Sequence, residues 1–158
     1  MTFGALGLVL GPWLGSELVM VPGLLMHLVA TIWLLANVIK PLRGSELLRQ
    51  PGIWHLITGY GWQLAPLLVA PLILLKVPGV PGPAIELNAP QALIYGWVLQ
   101  VGYALLPYLF SRVLLPAEPA QLGGSWLSLA AIHAGSILLW VGIFSGSAQG
   151  WFHGAAYV

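Results

Sequence analysis

Four histidines are the residues of this chain best suited to chemistry, and three of them stand inside long apolar runs: His27 in "LLMHLVATIW", His55 in "GIWHLITGYGW" and His133 in "LAAIHAGSILLW". An ionisable ring in hydrocarbon is costly and is by default a functional candidate. A neutral imidazole can ligate haem iron, chlorophyll magnesium or copper through one ring nitrogen while an acceptor orients the other. His27 and His133 are the axial-ligand candidates, and His55, near the start of its run, is a third cofactor-binding candidate. His153 lies beyond the last apolar run. At about 1.5 Å of rise per residue, His27 stands roughly 20 Å from Lys40 and His133 roughly 13 Å from Gly124, so one haem between them requires tilt or a register shift. The competing reading is a histidine hydrogen-bonded to a neighbouring helix, with Thr31, Asn37, Thr58, Gln63, Gln100 and Ser136 as partners.

Other chemistry is poorly supplied. Cysteine is absent, which removes disulfides and thiolate metal ligation. The four carboxylates, Glu17, Glu46, Glu86 and Glu118, fall in the expected loops. No G-x-S-x-G serine and no glycine-rich phosphate loop is found, so no catalytic residue is assigned and self-contained hydrolytic or phosphoryl-transfer chemistry finds no support in the sequence. A net charge of +1 carries no nucleic-acid signal.

The elements that must position these histidines are membrane helices. Of 158 residues, 59% are hydrophobic and 6% charged, against roughly a quarter charged in soluble proteins. Mean hydropathy is +0.92. The charges leave four uncharged stretches, at about 18–39, 53–75, 90–111 and 125–147, each able to cross a core of roughly 30 Å. The expected fold is an all-α integral membrane domain over 1–158, with four transmembrane helices and a short N-terminal segment. That segment, residues 3–15, is too short to cross and contains Gly11-Pro12, which favours a half-inserted or interfacial position over a fifth crossing. A signal peptide is a weaker alternative, since no basic residue precedes the run.

Lys40, Arg43, Arg49 and Arg112 place the 40–52 and 112–124 loops in the cytoplasm and both termini outside, in a bacterial inner membrane. The proline-rich "KVPGVPGPAIELNAP" loop then faces outward as stiff, extended chain. Pro66, Pro71 and Pro107 should kink their spans and free carbonyls for neighbours. Gly135, Gly142, Gly146 and Gly150 form one packing face, and Gly7, Gly11 and Gly15 repeat the four-residue spacing, for contact within the chain or with another subunit. Trp13, Trp54, Trp126 and Trp151 fall near span ends as interface anchors.

Two stretches carry a family resemblance. "YGWVLQVGYALLPYLFSR" and "WLSLAAIHAGSILLWVGIFSGSAQGW" resemble the haem-copper oxidase superfamily, in its branch of C-family cytochrome oxidases and nitric oxide reductases, over about Asn88 to Trp151. In that family a helix with H-x-H, then "GW", a small residue and "Y..LPR" carries haem ligands. Aligning Gly96-Trp97 with the family's "GW" puts Ala89 and Gln91 where the histidines stand, so those ligands do not carry over. The resemblance implies a small subunit of a respiratory or photosynthetic electron-transfer complex, contacting other membrane subunits and lipid. It would be structural or would hold a single haem b or chlorophyll, and any oxidoreductase activity would belong to the complex. Two alternatives are a free-standing haem b electron-transfer protein, with Trp33, Tyr60, Trp62 or Trp140 lining the porphyrin, and a transporter or channel using Gln63, Gln91 and Gln100.

Overall fold

A computed structural model describes residues 2–157. Its helices, in chain order, are α1 (Thr2–Trp13), α2 (Glu17–Leu42), α3 (Pro51–Trp62), α4 (Leu64–Leu74), α5 (Gly82–Leu93), α6 (Gln100–Leu114), α7 (Trp126–Phe144) and α8 (Gln149–Ala156). Four stretches are long and apolar enough to cross a membrane: Glu17–Leu42, Pro51–Leu74, Gly82–Leu114 and Trp126–Phe144. The all-α membrane architecture expected from the sequence is therefore present. Within it, α3 packs on α6, α7 packs on α5 and α8, and α2 lies against α1, α3 and α4. Large apolar side chains such as Leu18, Leu127 and Val113 point outward, 88%, 81% and 75% exposed. Such a surface suits acyl chains, and close packing with internal hydrogen bonds must then hold the helices together.

The N-terminal segment is a helix that runs antiparallel to the first half of α2. Glycines make the approach possible: a Cβ on Gly4 would lie 2.6 Å from the His27 backbone nitrogen, one on Gly7 2.7 Å from the Gly23 Cα, and one on Gly11 2.6 Å from the Met20 Cβ. The turn between the helices uses Gly15 at φ +59°, a conformation that suits residues without a Cβ. Twelve residues span about 18 Å, roughly half a hydrocarbon core. The segment thus packs as a short antiparallel helix along α2 rather than forming a fifth crossing-length helix.

The second span is broken. Pro66 has no N–H to offer the Trp62 carbonyl four residues earlier, and α3 ends at Trp62 while α4 begins at Leu64. The third span departs furthest from expectation. Residues 82–89, expected as extended loop, form the start of α5, and the helix continues unbroken to Leu114 through a π-turn at Ile94–Leu99. Pro83 explains the difference, because a proline in the first turn has its φ already set and lacks only a donor that no carbonyl awaits. As a result Glu86, assigned from the sequence to a loop, sits exposed on the helical span.

Of the expected glycine face, Gly135 and Gly142 pack against α8: a Cβ on Gly135 would lie 3.0 Å from the Ala156 carbonyl oxygen, and one on Gly142 3.1 Å from His153. Gly146 is instead a turn residue at φ +53°, and Gly150 meets open space. The chain reverses between α7 and α8, which takes both residues off the α7 face. Trp13 and Trp151 are 87% and 84% exposed at helix ends, where interface anchors belong. Trp54 is half-buried and donates its indole N–H to the Leu48 carbonyl at 2.7 Å.

Candidate functional site: a buried polar seam

Positions 55, 58, 59 and 62 recur at the helical spacing that puts them on one face of α3, and this face meets the π-turn, α6 and α7. Gly59 and Gly96 bring the elements close. A Cβ on Gly59 would sit 3.4 Å from the Gln100 Cβ, and one on Gly96 2.6 Å from the Trp62 Cγ, so the indole lies on bare backbone. The π-turn places Gly96 and Trp97 in this contact; single π-turns inside α-helices recur at functional sites.

Polar pairs run along the seam. The Trp62 indole N–H donates to His133 Nδ1 at 2.9 Å, with the two rings tilted at 36°. Thr58 donates its hydroxyl toward the Trp54 carbonyl at 2.6 Å and Gln100 Oε1 at 2.7 Å. His55 and Gln100 are both 0% exposed. The His55 ring stacks on Tyr103 at 5.9 Å and 12°, and its Nε2 lies 3.1 Å from Ser128 Oγ. Ser128 belongs to the capping box of α7, in which it pairs with Ser125. Its hydroxyl oxygen accepts from the Ser125 N–H at 2.9 Å and lies 2.9 Å from the Ser125 carbonyl oxygen, so the His55 Nε2 contact joins the capping box. The buried histidine thereby ties α3 to the N-terminus of α7.

The loop before α7 closes this end. Pro107 leaves the Tyr103 carbonyl without its usual helical donor, and Gly123 seats its backbone there. A Cβ on Gly123 would lie 2.5 Å from the Tyr103 oxygen and 2.3 Å from the Pro107 Cγ, while its N–H donates to the Ala104 carbonyl at 3.0 Å. Gly124, at φ +89°, lies flush with the His55 ring, where a Cβ would fall 2.4 Å from Cδ2. The backbone around Pro107, expected to expose carbonyls, is thus covered by a neighbouring loop.

An axial ligand must offer a bare nitrogen lone pair, and this requirement tests the histidines. An indole N–H can only donate, so the Nδ1 of His133 spends its lone pair on Trp62 and its neutral ring carries its proton on Nε2. His55 Nε2 is paired with Ser128 Oγ, with Gly124 pressed against that edge of the ring. His133, so arranged, offers no bare lone pair to a haem iron or a chlorophyll magnesium, whereas the buried His55 Nδ1 has no hydrogen-bond partner. His27 differs: no hydrogen bond to its ring is found among the described residues, its Nδ1 is buried without a partner, and its carbonyl accepts from Thr31 at 2.9 Å. The proposed porphyrin-lining aromatics do not converge. Trp33 faces outward, 68% exposed, Tyr60 leans on Trp97 at 6.4 Å, and Trp140 packs on the Ile85, Ala89 and Ile143 core. No group of three metal-ligating side chains forms among the described residues.

Of the hydrogen-bond partners anticipated from sequence, Thr58 and Gln100 lie in the seam. Thr31, Asn37 and Ser136 bond carbonyls four residues back on their own helices. Gln63 caps the break after α3, and Gln91, at an aligned ligand position, is half-buried on α5. Sequence reasoning missed Ser128, although Ser125-x-x-Ser128 ahead of an apolar run is a recognisable N-terminal signal for a helix. It also took Trp62 for a lining ring rather than a donor. Three buried polar atoms of the seam, His55 Nδ1, Gln100 Nε2 and Trp97 Nε1, have no protein partner. Comparison with protein families, characterised proteins and solved structures finds no match to this chain.

Proposed function

We propose that this chain is a structural subunit of a larger membrane electron-transfer complex, contributing a polar-locked helical unit against which other subunits are positioned. The observation that carries the structural role is the pairing of Trp62 with His133. It engages the His133 Nδ1 lone pair in joining α3 to α7, which supports a structural use of this histidine. The resemblance of residues 88–151 to haem-copper oxidase subunits is what points to the type of complex. Gly61, Gly150 and Gly154 meet no atom within 4 Å, which leaves small-residue surface for helices of another subunit.

The test is purification from native membranes in mild detergent, with identification of the co-purifying chains and an absorption spectrum of the isolated one. Redox subunits that accompany a colourless chain are the expected result. One haem or chlorophyll per isolated chain, lost in His27→Ala, would replace the structural role with a cofactor-bearing one. A monodisperse chain without partner subunits would refute the reading.

A further inference from the structure

The last turn of α6 and the loop that follows form an open surface pocket of about 350 Å³ lined by Tyr108, Arg112, Pro116, Glu118 and Ala120, with Arg112 and Glu118 exposed. It lies at the charged end of the third span, where lipid headgroups meet water. Its chemistry is two-signed. Arg112 Nη1 donates to the Tyr108 hydroxyl at 3.2 Å, with the guanidinium 5.9 Å from that ring's centroid. The carboxylate of Glu118 lines the same pocket, yet the one salt bridge found among the described residues is Arg49–Glu46, so Arg112 and Glu118 stand apart.

We propose that this pocket binds the headgroup of an aminophospholipid of the ethanolamine type. The phosphate lies on Arg112, whose planar fork suits phosphate oxygens. The Tyr108 hydroxyl accepts from Arg112 and has its own proton free for the same phosphate. The primary ammonium, two carbons away, donates to Glu118. A trimethylated choline has no N–H for that carboxylate, and a glycerol headgroup brings no cation, so both are weaker occupants. Deeper along the same helix, an apolar groove of about 430 Å³ runs past Val98, Leu99, Gly102 and Leu106. Gly102 is about 15 Å of helix from Arg112 along the axis, and the groove lies on a different face of the helix from Tyr108 and Arg112, so the headgroup contacts alone define the proposed site.

The experiment reconstitutes the full chain in bilayers with equal parts of ethanolamine, choline and glycerol phospholipids, extracts it in mild detergent, and quantifies the retained lipid by native mass spectrometry. Ethanolamine lipid is expected about fivefold above its bulk share, the scale of one partly exposed charged contact. Arg112→Gln should remove retention of all three classes, whereas Glu118→Gln should keep a lipid but erase the preference for ethanolamine. Arg49→Gln, at an exposed ion pair elsewhere, should change nothing. Free phosphoethanolamine added in excess should compete poorly with the membrane-anchored headgroup, and full competition would reassign the site to a soluble phosphate ligand. Retention at the bulk ratio, or an unchanged preference in Glu118→Gln, would overturn the proposal.

Discussion

Replacing Trp62 by phenylalanine isolates the contact on which the structural reading depends. The substitution keeps a ring over Gly96 but removes the indole N–H that lies 2.9 Å from His133 Nδ1. A half-buried acceptor is then left without its donor, which costs up to about 1–3 kcal/mol. Side-chain hydrogen bonds between membrane helices nevertheless average only about 0.6 kcal/mol, with a maximum near 1.7, because the unfolded chain in the membrane also finds partners. The lost indole volume adds to the raw change, so the single variant should lose about 1–3 kcal/mol overall. The pairwise part is obtained from a double-mutant cycle with His133→Leu, read from equilibrium unfolding in bicelles. A coupling of about 0.6–1.7 kcal/mol is expected. Coupling within about 0.3 kcal/mol of zero would mean that the two rings merely touch, and His133 would return as a free ligand candidate.

Other positions give separate tests. Gly96→Ala places a methyl 2.6 Å from the Trp62 Cγ, and should destabilise by about 1–3 kcal/mol in the same assay, with partial rescue by Trp62→Ala. Gly7→Ala drives a methyl into the Gly23 backbone and should cost a similar amount, whereas Gly150→Ala, facing open space, should shift the isolated chain by less than about 0.5 kcal/mol. If Gly150→Leu, unchanged in stability alone, also fails to reduce recovery of partner subunits, that surface is not an interface. Ser128→Ala removes both an N-cap partner of α7 and the hydrogen-bond partner of His55 Nε2, for an expected loss of about 1–3 kcal/mol. A loss below about 0.5 kcal/mol would show that the His55 contact is not formed.

What the sequence determined by itself is its solvent and its number of crossings. Hydrocarbon leaves backbone groups no partner but the chain's own, so long runs with almost no charge become helices whatever their neighbours do. Pro66 marked the break of the second span, because a missing donor is a local property of the residue, whereas α4 and α6 run on through Pro71 and Pro107. Proline chemistry was also what misled: the motif that reads as stiff loop in 76–89 contains Pro83, and whether a proline stops a helix or starts one depends on which residues lie after it. Only the tertiary structure decided the use of the histidines. His27, His55 and His133 look alike in sequence, each a lone ring in an apolar run. Across the helix interfaces, however, His133 meets an indole donor, His55 meets a capping serine 73 residues away, and the His27 ring has no hydrogen bond among the described residues. Spacing along one helix assigns a side chain to a face. Which donor or acceptor stands opposite is set by how closely the helices approach and in what register, and here that rests on Gly59, Gly96 and Gly124, whose missing side chains let the partners touch.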